Sequence, residues 1–274
     1  MKIKKITAVY FSATGNTKKV VEALARQLKD NLELPLDIAD ITLPGAREKG
    51  RTFDADDLVV FGTPVYAVRV PNKLLPDLKK MFSGGGAAVI PVVTFGNRSF
   101  DDALMELKLL LEAAGFVPVG AAAVPARHAF TDQLAGDRPD IGDFQILSAL
   151  ADAVEVVLKF RKGEGKALRV EGHNPVGPYY VPKGEDGQPA KFLKAVPKTD
   201  RKKCDRCMLC AAHCPMGSID LKNPAVISGV CIKCQACIRD CPQHAKSFDD
   251  PAFLSHVAML EANYTQPAQI KTFV

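Results

Sequence analysis

At 274 residues the chain sits near the size at which one hydrophobic core stops growing, so two domains are expected rather than one. With 47% hydrophobic and 24% charged residues it has an ordinary folded composition, which excludes a disordered or collagen-like chain. The net charge of +5 is modest and unevenly placed: residues 1–163 carry 21 basic and 20 acidic side chains, residues 164–274 carry 15 and 11.

No stretch approaches the roughly 18 apolar residues of a bilayer span, and the apolar run after Lys5 is too short for a signal peptide. A cytoplasmic protein with no membrane span and no nucleic-acid partner is expected. Residues 1–163 alternate strand and helix signals in the manner of a parallel sheet covered on both faces. Strands are predicted over residues 6–11, 36–41, 58–63, 87–94 and 116–124. A helix over 17–29 follows the first, with Val20, Val21, Leu24 and Leu28 at helical spacing. Leu104, Leu107, Leu111 and Ala114 mark a second helical face, and Ile146, Leu150, Val154, Val157 and Leu158 a closing one that ends at Gly163. Residues 164–198 are rich in glycine and proline without a period, and read as an irregular connector lying against a domain surface. A cysteine-bearing segment over 199–250 and a tail over 251–274, with a short helix at 251–262, complete the chain.

All eight cysteines fall between Cys204 and Cys241, which points to local metal ligation in a reducing compartment rather than to scattered disulfides. Cys204, Cys207, Cys210 and Cys214 are matched in order, at one unvarying offset, by Cys231, Cys234, Cys237 and Cys241. Both halves read CxxCxxCxxxCP, closed by Pro215 and Pro242. Structural zinc would favour two separated CxxC knuckles per ion, which three-plus-one runs do not supply. The intervening Met208, Leu209, Ile232 and Ala236 are apolar, and Met216 and Ile219 extend the same wall, as suits a group sheltered from water. The runs resemble those of bacterial two-cluster ferredoxins. That resemblance implies two 4Fe-4S clusters with exchanged fourth ligands: Cys204, Cys207, Cys210 and Cys241 for one, Cys231, Cys234, Cys237 and Cys214 for the other. The clusters' negative charge would offset the basic excess of this part of the chain. Lys191, Lys194, Lys198, Arg201, Lys202 and Lys203, which precede the first ligand, read either as a solvated, charge-balancing strand or as a docking patch for an acidic partner.

Directly after the first strand, Ser12-Ala13-Thr14-Gly15-Asn16-Thr17 opens a helix, and a hydroxyl-rich turn at a helix N-terminus is an anion site. It is neither the GxGxxG fingerprint nor the GxxxxGK loop. Gly84-Gly85-Gly86 precedes a strand instead of following one and reads as a turn. Two further loops stand at C-terminal strand ends, where open α/β sheets bind ligands: Gly62-Thr63-Pro64-Val65-Tyr66 and Thr94-Phe95-Gly96-Asn97-Arg98-Ser99-Phe100. Tyr66, Phe95 and Phe100 offer flat faces for a ring system in a chain without tryptophan.

From these three loops in this order, residues 1–163 resemble a flavodoxin domain, and with the two cysteine runs the chain resembles the flavodoxin–ferredoxin fusion proteins of the EFR-type ferrodoxin family. The resemblance implies an α/β flavodoxin-like doubly wound parallel sheet of order 2-1-3-4-5, with a smaller α+β two-cluster ferredoxin domain. It implies FMN, with its phosphate held by Ser12, Thr14, Gly15, Asn16 and Thr17. The ring and ribityl side would meet Pro64, Val65 and Tyr66, and the other edge Phe95, Gly96, Asn97, Arg98 and Phe100. Phe100 stands where such proteins are expected to carry tyrosine, so a hydroxyl contact is missing there. The stretches Arg127-His128 and Gly136-Asp137-Arg138-Pro139-Asp140 also look family-like, and read either as a surface salt bridge or as a contact near the flavin. Three readings of function follow. The first is an electron-transfer protein that exchanges electrons with redox partner proteins or small donors and acceptors, the flavin linking two-electron and one-electron carriers. The second is a ferredoxin-linked flavin reductase for a small quinone-like substrate, with His128 or Arg138 beside the ring. The third is an interaction module in which the clusters are only staples and the flavin fold is empty.

Overall fold

The computed structural model describes residues 2–160 and 167–274; the helix end expected at Gly163 and the domain boundary beside it lie outside the described residues. The first unit consists of β1 (Lys5–Tyr10), α1 (Asn16–Leu32), β2 (Leu36–Asp40), β3 (Asp57–Pro64), α2 (Leu75–Met81), β4 (Ala88–Phe95), α3 (Ala103–Ala113), β5 (Ala121–Pro125) and α4 (Ile141–Phe160). Strands β2, β1, β3, β4 and β5 lie side by side in that order and all pair in parallel, with Ile6 opposite both Leu36 and Leu58, Leu58 opposite Ala88, and Val92 opposite Ala122. The order 2-1-3-4-5 is that of a flavodoxin-like doubly wound sheet, as expected.

Side-chain alternation along the strands builds two cores. Ile6, Ala8 and Tyr10 of β1 pack with Val20, Val21, Leu24 and Leu28 of α1 and with Leu147, Leu150 and Val154 of α4. Val9 and Phe11 point to the other face, where Leu78 of α2 and Leu104, Leu107 and Leu111 of α3 lie. Because both faces are covered, β3 and β4 are buried almost throughout and read as continuous apolar runs rather than alternating ones.

Three features differ from the expectation. The strand predicted over 116–124 is two pieces, Val117–Pro118 and Ala121–Pro125, both parallel to β4. Helix α2 has seven residues and a proline in its first turn, too few for a periodic signal. Finally, the C-terminal tail adds β6 (Lys271–Phe273) antiparallel to β5, covering what would otherwise be an open sheet edge.

The connector is irregular but anchored. The amides of His173 and Gly177 donate to the Asp102 carboxylate at 2.8 and 2.7 Å, and the Tyr179 hydroxyl donates to the Val70 carbonyl at 2.8 Å. Arg69, paired with Glu106 at 2.5 Å, also donates to the Gly177 carbonyl.

In the cysteine segment α5 (Leu209–Ala212) and α6 (Ala236–Arg239) repeat at the same offset as the cysteines. Lys198–Thr199, before the first loop, pairs antiparallel with Lys246–Ser247 after the second, while Ile219, after the first, bridges Ile227 before the second. The halves are thereby interlocked. Phe192, Phe248 and Phe253, with Phe130 against them, pack the connector, the cysteine segment, α7 (Pro251–Asn263) and the sheet unit together. The Asp250 side chain caps α7 by accepting the Phe253 amide at 2.9 Å. No helix among the described residues is long and apolar enough to cross a membrane.

Candidate functional site

A cavity of about 550 Å³ opens at the C-terminal ends of β1, β3 and β4, within the usual size of small-ligand sites. It lies where the connections from β1 and β3 run to opposite faces of the sheet. Ten of the thirteen predicted flavin residues line it: Ser12, Thr14, Asn16, Thr17, Pro64, Val65, Tyr66, Phe95, Gly96 and Arg98. Gly15, Asn97 and Phe100 do not.

Gly15 caps α1 in the left-handed conformation, φ 86°, which a side chain would resist. Beyond it the amides of Asn16 and Thr17 have no protein acceptor among the described residues, and the first turn carries no acidic residue. This is the electrostatic requirement of a phosphate end. The Ser12 hydroxyl accepts the Lys18 amide at 3.0 Å, Asn16 donates its side-chain amide to the Arg127 carbonyl at 3.0 Å, and the buried Thr17 hydroxyl pairs with that of Thr94 at 2.7 Å. Thr17 thus ties α1 to β4.

The next loop turns tightly at Ala67 and Val68, φ 49° and 69°, between mutual amide–carbonyl bonds of Tyr66 and Arg69 at 2.9 and 3.2 Å. Left-handed backbone at a β-branched residue costs on the order of 1–3 kcal/mol and is concentrated at ligand clamps. Gly96 is required by contact: a Cβ there would lie 2.2 Å from Cδ2 of His128. That imidazole accepts the Phe130 amide on Nδ1 at 3.1 Å, and burial, aided by nearby His256 and Arg239, pushes its pKa down to about 4, so it is neutral at pH 7. The Arg98 guanidinium stacks on the Tyr180 ring at 4.6 Å and donates to Asp101 at 2.8 Å, and its buried Nε has no hydrogen-bond partner among the described residues.

The side chains of Asn97 and Phe100 also serve the scaffold. Asn97 donates to the carbonyls of Tyr264 and Gln266 at 2.5 and 3.0 Å and accepts the Ala268 amide at 2.9 Å, which staples the tail. Phe100 is buried against Phe95, ring centres 5.6 Å apart. Arg138 forms an ion pair with Asp143 and donates to the Ala268 carbonyl at 3.1 Å, outside the cavity, whereas Arg127 and His128 line it. Sequence reasoning missed part of the wall: Tyr180 and Phe192 of the connector, His256 of α7, and Val230, Cys231, Ile232 and Lys233 of the second cysteine loop. Nothing local marks them, because only the tertiary fold brings them there. Free amides at one end and apolar and aromatic walls at the other fit a flavin phosphate and ring.

The two cysteine loops share one backbone design. Arg206 and Met208 in the first, Lys233 and Gln235 in the second, adopt φ of 62°, 62°, 55° and 68°. Such turns bring successive N–H groups to one concave side, as at many iron–sulfur sites. The Ser218 amide donates to Cys214 Sγ at 3.3 Å and, at the equivalent place in the second half, the Ala245 amide to Cys241 Sγ at 3.2 Å. Cys231, Cys234, Cys237 and Cys214 line a single small cavity that no other cysteine reaches.

The thiols' mutual influence follows the same grouping. Cys210 feels Cys204 and Cys241, while Cys234 and Cys237 feel Cys214 and Cys231. Burial pushes Cys210, Cys231, Cys234 and Cys237 above the usual thiol range, Cys234 to about 12. Lys246, buried with its ammonium against the Pro224 carbonyl, opposes that rise at both Cys210 and Cys237. Four thiols per group, without carboxylate or imidazole, are a donor set suited to an iron–sulfur cluster. Among the described residues no three His, Cys, Asp or Glu side chains converge on the position of a single ion; a cubane needs its thiolates spread over four corners. Tyr66 belongs to both sites: it lines the large cavity, and burial together with nearby Cys234 and Cys231 pushes its phenol well above the usual range.

No protein-family model and no curated protein matches the chain. Solved structures similar to it include a flavodoxin of Streptococcus pneumonia TIGR4, at 18% identity over 56% of this chain and 98% of that one, TM-score 0.39. A Bacillus cereus flavodoxin is similar at 16% identity, over 56% and 98%, TM-score 0.41. The rubredoxin:oxygen oxidoreductase of Desulfovibrio gigas is similar at 16%, over 58% and 37%, TM-score 0.41. The fold assignment rests on strand order rather than on these likenesses.

Proposed function

We propose that the chain is an electron-transfer flavo-iron–sulfur protein, with FMN in the large cavity and two 4Fe-4S clusters on the crossed cysteine sets. When bound, the flavin supplies an exchange between two-electron and one-electron chemistry and the clusters supply one-electron steps. In this reading the α1 N-terminus binds the phosphate, the strained Tyr66–Arg69 turn and Gly96 shape the ring pocket, and Arg98 keeps a free donor beside it. The left-handed cysteine loops orient amides toward cluster sulfur, and the interlocked strands fix the two sets relative to each other.

The observation that carries the reading is the shared wall: Val230 to Lys233 line the flavin cavity, and Tyr66 lies within electrostatic reach of Cys231 and Cys234. A flavin there would be separated from the second cysteine set by side chains rather than by solvent. Protein purified without oxygen is expected to contain about eight irons, a matching amount of sulfide and one FMN per chain. Flavin with no iron, or iron with no affinity for added FMN, would contradict it. The reductase reading keeps one observation in its favour, the neutral His128 on the cavity wall. It expects His128→Asn to abolish menadione turnover while leaving cluster reduction unchanged; unchanged turnover removes it.

A further inference from the structure

The two cysteine loops have the same spacing and backbone but opposite surroundings. Positions 201, 202, 203 and 206 hold Arg, Lys, Lys and Arg; the equivalent positions of the second half hold Ser228, Gly229, Val230 and Lys233. Arg201, Lys202, Lys203 and Arg206 are all exposed, and among the described residues none lies within 4 Å of a carboxylate. Lys233, by contrast, is tied down, donating to the Leu193 carbonyl at 2.6 Å and the Cys231 carbonyl at 3.2 Å. Cys207 is exposed where its counterpart Cys234 is buried.

The one acidic residue inside the first loop, Asp205, is occupied, accepting the Cys207 amide at 3.0 Å and the Gln243 side chain at 3.1 Å. Leu209 adds an exposed apolar contact beside it. Unpaired cations around a solvent-reachable ligand steer and orient an anionic partner.

Resting on the electron-transfer reading, we infer that the rim formed by Arg201, Lys202, Lys203 and Arg206 is the docking face for an acidic one-electron carrier protein, and that the second loop, turned to the flavin cavity, takes no outside partner. Each encounter would move one electron between the carrier and the 4Fe-4S cluster that Cys204, Cys207, Cys210 and Cys241 would hold. One side is oxidised and the other reduced by one, and no bond forms or breaks.

The test uses the anaerobic holoprotein with its iron counted, and a purified acidic ferredoxin as probe. Binding is measured by calorimetry at roughly 20 and 300 mM salt, which respectively expose and screen surface charge. The variant R201E/K202E/K203E is expected to weaken binding about tenfold or more at low salt, as wild type does at high salt. The control K2E/K79E/K80E, with the same charge change on exposed lysines of the sheet unit, is expected to bind as wild type does. Equal loss in both variants, or none in either, with iron fully loaded, overturns the inference. So does a DNA duplex that binds the rim more tightly than the ferredoxin. Wild-type iron far below about eight per chain overturns the underlying reading instead.

Discussion

The first and second cysteine loops are one sequence pattern placed in two environments. Both carry left-handed residues at the same two positions and a backbone amide on the last thiol of the run. What separates them is what the rest of the chain packs on. The second loop is held against the flavin-loop cavity and beneath the aromatic cluster of Phe192, Phe248 and Phe253, while the first is exposed at Cys207 and its basic rim and meets the sheet unit where Arg47 donates to the Pro215 carbonyl at 2.7 Å. Spacing sets which atoms a loop can ligate; neighbours set what that loop is for.

The largest effect that sharpens this contrast comes from removing one thiol from each loop. Cys234→Ala and Cys207→Ala are each expected to lose about half the iron. Only Cys234→Ala, which disturbs the shared wall, is expected to weaken FMN binding, about a hundredfold or roughly 2.7 kcal/mol by fluorescence titration. Equal FMN affinity in the two variants would erase the distinction.

Arg239 is a second asymmetry, because its counterpart in the first half is Ala212. It donates to the His128 carbonyl at 2.9 Å, to the Ala129 carbonyl at 3.1 Å and to Asp132 at 2.8 Å, and clamps the second half to the sheet unit. Arg239→Met is expected to cost roughly 2–3 kcal/mol in urea unfolding, and Ala212→Arg almost nothing.

His128, beneath that clamp, should report on pH. Its folded pKa of about 4 lies below the unfolded value of 6.5, so the stability it contributes is present above pH 6.5 and is lost as pH falls toward 4. Between pH 7 and pH 5 the loss attributable to it is about 2 kcal/mol. Unfolding curves of wild type and His128→Asn should therefore diverge at the higher pH and converge at the lower. Parallel curves would mean that the ring is not held neutral.

The smallest effect concerns what the loops share. Lys246 acts on Cys210 of one set and Cys237 of the other, so Lys246→Met should lower the reduction potential of both clusters by about 60 mV, a tenfold change per electron. A shift in one cluster alone would place the charge on one side.

Much of this was legible in the sequence because it is local. Aliphatic runs such as those of β3 and β4, the hydroxyl turn before α1 and the cysteine spacing each declare themselves within a short stretch of chain. The features that escaped depend on distant partners. Lys271–Phe273 is a strand only because β5 offers an edge, and Asn97, which reads as a flavin contact, is spent on the tail that carries that strand. Phe100 reads as a stacking face and is buried in the core. Arg138 and His128 look alike in sequence context, yet one is closed in an ion pair with Asp143 and the other lines the cavity. The contact of the second cysteine loop with the flavin loops has no sequence signal, since residues 66 and 231 are far apart in the chain and only the tertiary fold brings them together.

The central claim is that the crossed thiol sets hold two clusters in one interlocked unit beside a flavin, and an anaerobic reductive titration followed by EPR tests it most directly. The account predicts about two reduced-cluster spins per chain with the split, broadened lines of an interacting pair. A single isolated cluster signal, or none after iron and sulfide reconstitution, would contradict it.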